Sequence, residues 1–157
     1  MKRLFQLGLA VFGMSILSAG CGGTDGTGGG GPAPVTYNGG GTKLLEGTCE
    51  GRNHACKGNA ALFRTDTGAV ELRLASNFQV VDIPGGFVYL SARDALGSGS
   101  TAIRPETESD LGALARFSGA QNYSVAQGQD DGKTYAWIWC RPYAVEVARF
   151  ELKTPAQ

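Results

Sequence analysis

Tyr135-Ala136-Trp137-Ile138-Trp139-Cys140-Arg141-Pro142-Tyr143-Ala144-Val145-Glu146-Val147-Ala148-Arg149-Phe150 carries the strongest structural signal in the chain. It contains both tryptophans. Its first half alternates, with Tyr135, Trp137 and Trp139 on one face and Ala136, Ile138 and Cys140 on the other. Both faces are apolar, and a strand apolar on both faces is covered on both sides. The pattern predicts a central strand of a packed sheet. Pro142 cannot donate to a ladder and marks a break. Beyond it Tyr143, Val145 and Val147 face one way, with Glu146 beside Ala144 and Ala148 on the other. This is the signature of a second, half-exposed strand.

Working outward, short strand signals continue upstream. Lys43–Cys49, Lys57–Arg64, Ala69–Phe78 and Phe87–Ser91 are the clearest, followed by Leu111–Ala115 and Asn122–Ala126. Turn signals separate them at Asp66-Thr67-Gly68, Pro84-Gly85-Gly86 and Asp131-Gly132. Long helical periodicity is absent. About eight strands with frequent turns predict an all-β fold, a single antiparallel β-sandwich or barrel-like domain. The span Ala92–Asp110, rich in Gly, Ser, Thr and Pro, reads as a mobile surface loop. The domain covers residues 42–157.

The amino-terminal part has a different character. Lys2 and Arg3 precede an apolar run from Leu4 to Leu17, too short to span a bilayer comfortably and suited to a signal-peptide core. It ends in Leu17-Ser18-Ala19-Gly20-Cys21, which resembles a bacterial lipoprotein lipobox. The resemblance implies a signal peptide over residues 1–20, diacylglycerol on Cys21, and acylation of the new amino terminus with a palmitate-type chain. Several acyl chains anchor a protein stably where one is marginal. Gly22 stands where an aspartate would favour inner-membrane retention, so the resemblance implies the outer membrane of a bacterial cell envelope. Half of residues 22–41 are glycine. With Cys21 they form a flexible tether over residues 21–41, with a root-mean-square reach of about 25 Å.

Charge narrows the function classes. The chain has 14 basic and 14 acidic residues. Removing residues 1–20 takes Lys2 and Arg3 and no acid, leaving 12 basic groups against 14 acidic. No basic stripe of the kind nucleic-acid binding needs is present.

One family pattern runs through the folded part. Leu72-Arg73-Leu74 with Asn77-Phe78, then Val88-Tyr89-Leu90-Ser91, Leu111-Gly112-Ala113-Leu114, Gln121-Asn122-Tyr123 and Trp137-Ile138-Trp139-Cys140 occur in this order. Together with His54 and Gly58 they resemble the DM-thirteen domain family, also called electron-transfer DM-thirteen, over roughly residues 47–152. In animals the domain accompanies DOMON and haem-membrane modules. The resemblance therefore implies a redox or electron-transfer role.

Read as chemistry, the cysteines come first. Apart from Cys21 there are Cys49, Cys56 and Cys140. An oxidising compartment permits disulfides, and an odd count leaves one thiol over. Cys49 and Cys56 are expected to pair, contributing about 2.5 kcal/mol by loop closure. Sequence leaves Cys56 with Cys140 open as the other pairing. Cys140 has two readings: a buried small hydrophobe, or a redox thiol or soft ligand for haem iron or copper. Alternation sends Arg141 to the face opposite its sulfur. His54, the lone histidine, is either a satisfied loop residue or a partner of Cys140. No Cys-x-x-Cys-His motif indicates covalent haem, no cluster suits zinc, and no hydrolase pattern occurs. Glu106, Glu108 and Asp110 alternate and can share a face. In this loop they read as solvating groups, with weak calcium binding as the second reading. Two function classes follow: a non-enzymatic module binding a protein or glycan, or a tethered redox module.

Overall fold

The computed structural model describes residues 35–156. The signal segment, Cys21 and the first part of the glycine-rich stretch lie outside the described residues. Ten strands occur in order: β1 (Thr42–Gly51), β2 (Cys56–Lys57), β3 (Asn59–Arg64), β4 (Val70–Leu74), β5 (Gln79–Val80), β6 (Gly86–Ser91), β7 (Ser109–Ala113), β8 (Gln121–Val125), β9 (Tyr135–Cys140) and β10 (Val145–Glu151). Eight form one antiparallel sheet in the order β7-β6-β9-β10-β1-β3-β4-β8, and β2 pairs with β5. Among the described residues there is no helix, and so none long and apolar enough to cross a membrane. The expected all-β antiparallel fold is thus observed. The sheet curls until it is nearly closed into a barrel.

Its two edge strands meet at a seam bridged by side chains. Tyr123 Oη accepts from the Ala115 amide at 3.1 Å. Gln121 accepts from the Arg116 amide at 3.1 Å and donates to the Arg116 carbonyl at 2.8 Å. Ser109 Oγ donates to the Gln129 carbonyl at 2.9 Å. These bonds satisfy backbone groups that a closed ladder would otherwise have paired.

Inside the barrel, Leu62, Leu72, Leu74, Phe78, Val88, Leu90, Ile138 and Phe150 form the main core. Two expected strands are cut shorter than their apolar runs. Gly58 separates β2 from β3 with φ +98°, and a Cβ there would lie 2.5 Å from the Asn77 carbonyl oxygen. Only glycine tolerates both the dihedral and the approach. The run Ala69–Phe78 stops at Leu74, because the Ala75 amide turns to the Asn59 carbonyl and Phe78 bonds back to Ala75.

β9 behaves as its two apolar faces predict. Ala136, Ile138 and Cys140 enter the barrel, while Trp137 and Trp139 lie outside it yet remain buried. What buries them is the 92–108 segment, which supplies Leu96, Ala102 and Ile103. The Ala92–Asp110 segment is mostly an exposed loop, as read from sequence, but it is also fastened over the tryptophans as a lid, and its last two residues begin β7. β10 also departs from simple alternation. The register slips between Glu146 and Ala148, so Val147 and Ala148 both reach the core. A β-bulge switches which face later residues occupy. Ala148 goes inward opposite Ile138, and Glu146 stays outside opposite Trp139.

Glu146 is buried, against the expectation of a half-exposed strand. Its Oε1 accepts from the lid amides of Leu96 at 2.5 Å and Gly97 at 2.8 Å, and Oε2 pairs with Arg52 at 3.2 Å. Glu108 fastens the other end. It accepts from Ser91 Oγ, Arg93 Nε, the Arg104 amide and Thr107 Oγ1, all within 3.0 Å. Burial pushes its carboxyl up, but these hydrogen bonds together outweigh that, and its pKa ends below the ordinary value. The solvating role expected of Glu108 is thus corrected, while Glu106 is exposed as expected.

A second cover lies over β3 and β4. Residues 35–41, read from sequence as the end of the tether, run along the sheet. Arg73, 2% exposed, donates to the carbonyls of Gly39 at 2.9 Å and Gly40 at 2.8 Å. Its guanidinium stacks over Phe63 at 4.3 Å, and Tyr37 packs on the same ring.

Two outcomes follow for the lid. Glu146→Ala strips two lid amides and Arg52 Nε of their acceptor and is expected to cost about 2–4 kcal/mol in urea unfolding. Red-shifted tryptophan emission should accompany it, and unchanged stability would contradict the fastening. Glu108 has a lowered folded-state pKa. Its stabilisation is present above the unfolded carboxylate pKa and is lost as pH falls through the folded one. Glu108→Gln should therefore be less stable than wild type at neutral pH, with the gap narrowing below about pH 4.

Candidate functional site

Cys140 ends β9, between Gly86 of β6 and Val145 of β10. Its side chain points into the core and the residue is 2% exposed. The thiol donates to the Pro84 carbonyl at 3.1 Å. Cys49 and Cys56 form a disulfide, with Cα atoms 5.8 Å apart, so Cys140 is the free cysteine among the described residues. His54 is exposed in the turn that this disulfide closes. The sulfur of Cys140 is thus engaged by a backbone carbonyl and not by the imidazole. Among the described residues no group of three or more His, Cys, Asp or Glu side chains is arranged to hold a metal ion.

The neighbouring residue is placed quite differently. Arg141 follows Cys140 out of the strand on the opposite side of the barrel wall. Its guanidinium lies 3.3 Å from the ring centroid of Phe87. Nε and Nη2 both donate to Tyr89 Oη, at 2.9 and 2.7 Å, and Nη2 also pairs with Asp110 Oδ2. Three elements therefore fix one cation: β6 contributes Phe87 and Tyr89, β7 contributes Asp110, and the turn after β9 carries the arginine. Burial pushes the Tyr89 phenol up against the lowering effect of the Arg141 bond, which keeps it a neutral acceptor.

Arg141 keeps 42% of its side-chain surface in solvent and Asp110 keeps 48%. They open onto a cleft of about 450 Å³. Ile103 and Pro105 of the lid and the exposed Gln129 also line it. Arg141 Nη1 has no hydrogen-bond partner among the described residues. The cleft thus presents a free donor, a carboxylate and a carboxamide beside an apolar surface. Glu108 lies behind them with both oxygens already occupied. A larger hollow beside the 127–131 turn is lined by Arg64, Gln127, Asp130 and Asp131. It lacks a comparably fixed polar group.

No family model matches this chain, no curated protein matches its sequence, and no solved structure matches its fold.

In the sequence Arg141 reads only as a cation absent from the Cys140 face, and Asp110 only as a solvating group or weak calcium ligand. The available signal was parity. Phe87 and Tyr89 share one face of their strand, and Arg141 continues the outer side of β9. Strand order, which sets β7, β6 and β9 side by side, was the missing information.

A native protein with this Cys140 should react slowly with a bulky thiol reagent and rapidly once denatured. Cys140→Ala is expected to cost about 1–2 kcal/mol, as for loss of one small buried group. Rapid labelling of the native state would show that the sulfur is accessible.

Proposed function

We propose that this protein is a lipid-anchored, extracytoplasmic β-barrel module of the DM-thirteen type that acts by binding rather than by catalysis. Support for the anchor comes from the Ser18-Ala19-Gly20-Cys21 motif behind a short apolar run. Gly22 favours the outer membrane. The glycine-rich stretch gives the domain reach from that membrane. The observation carrying the binding reading is Arg141. A half-exposed arginine held by a ring, a buried phenol and a carboxylate is pre-organised, and ordering it in advance lowers the cost of binding. Polar groups converging on an apolar wall are what small-molecule sites share. The alternative suggested by the family resemblance, a redox or cofactor-ligating Cys140, requires an approach to a sulfur that is packed in the core and bonded to Pro84.

Two measurements test the two halves of this reading. Cys21→Ser should accumulate as an unlipidated precursor retaining residues 1–20, seen by mass and by detergent partitioning. Wild-type protein lacking acyl mass would overturn the anchor. For the domain, the isotope-labelled full chain in a detergent without a sugar headgroup can be screened against small polyols, acids, amines and aromatics. The amides of Asp110, Gln129 and Arg141 should shift saturably with at least one class, and Arg141→Ala should weaken that binding about tenfold or more. If no class moves them, the cleft is not a binding site.

A further inference from the structure

The cleft's charge balance limits what it can hold. Arg141 is paired with Asp110, and Glu108 with Arg93. A simple anion drawn to Arg141 would meet the Asp110 carboxylate, and a simple cation would meet the guanidinium. A zwitterion could match both charges only by pulling apart a pair that already exists. At a half-exposed site the gain from such an exchange is small.

A neutral partner faces no such conflict. Arg141 Nη1 offers a donor beside the Asp110 carboxylate, which retains acceptor capacity after receiving the Gly112 amide at 2.9 Å. Adjacent donor and acceptor suit two neighbouring hydroxyls, one accepting from Arg141 and the other donating to Asp110. The exposed Gln129 can do either. Ile103 and Pro105 suit the C–H face of a saturated ring. The hollow of about 450 Å³ has room for one or two such rings.

Resting on the binding reading above, we propose that the Arg141 cleft is a saccharide site that takes a neutral pyranose through a vicinal diol. Arg141 and Asp110 act together as one hydrogen-bonding edge and stay paired when the sugar binds. Charge-assisted hydrogen bonds make this edge the main source of affinity. Because the ligand carries no charge, screening by salt leaves its binding nearly untouched.

The test uses the full chain in the same sugar-free detergent. The probes are maltose, lactose and chitobiose on one side and inorganic phosphate, acetate and glycine on the other. At least one disaccharide is expected to shift the Asp110, Gln129 and Arg141 amides saturably, with an affinity that changes little at high salt. Arg141→Ala should weaken it about tenfold or more, the usual scale for losing a hydrogen bond to a charged group. Gln129→Ala, an exposed change that leaves the Arg141 stack intact, should weaken it by a smaller factor with unchanged thermal unfolding. Binding of phosphate, acetate or glycine that salt abolishes would overturn the saccharide assignment while leaving a binding site. Disaccharide shifts located away from the cleft, or none while other fragments bind there, would also overturn it. Silence of the cleft toward every compound would remove the binding reading itself.

Discussion

β9 has no polar face, and much of the structure answers that constraint. A barrel wall ordinarily hides one side of each strand and gives the other to water. Trp137 and Trp139 make that impossible here, because their side needs cover as well. The cover comes from a segment with few apolar side chains of its own. Such a segment cannot be held by packing alone, and its backbone amides still need acceptors once buried. Glu146 and Glu108 meet both needs. Glu146, on the sheet, receives two lid amides; Glu108, at the lid's own end, receives the Arg104 amide and bonds Ser91 of β6; and each is partnered by an arginine. The Trp137 indole adds a bond to the Arg93 carbonyl at 3.3 Å.

Local pattern made much of the fold legible. Period-two alternation identified the strands, including the two-faced character of β9. Cysteine spacing favoured the Cys49–Cys56 bridge that the structure shows, though it left Cys56 with Cys140 open. What was hidden was set by partners distant in sequence. Glu146 looks like an ordinary solvent-facing strand residue until Leu96 and Gly97 arrive, some fifty positions away. The Val147 bulge leaves no composition signal, because Val145, Val147, Ala148 and Phe150 fit either phase. Gly39 and Gly40 look like linker until Arg73 binds their carbonyls. Barrel and sandwich share the same alternation, and only the approach of β7 to β8 separates them.

The candidate site shows the same limit. Cys140 draws the eye as the chemically reactive residue, yet the structure gives it a packed, hydrogen-bonded position. Arg141, one residue later, crosses to the other side of the wall and is held open to solvent. Parity along one strand is enough to separate a core group from a surface group. Sequence could supply that parity, but the aromatic pair that receives the arginine comes from a different strand.

The Arg73 clamp has a mechanical consequence. Tension applied to the chain upstream of Val35 reaches the domain first at the 35–41 segment. There the guanidinium grips two consecutive carbonyls, and Thr36 is tied to Ser76. Behind this grip lies β1, flanked by β10 on one side and β3 on the other. A force along β1 must shear many ladder bonds together, whereas a force peeling an edge strand breaks them in succession. The chain thus enters the barrel through an interior strand, whereas the grip that meets tension first sits on β4 and, through Asn122 and the Asn38 carbonyl, on β8, beside the seam.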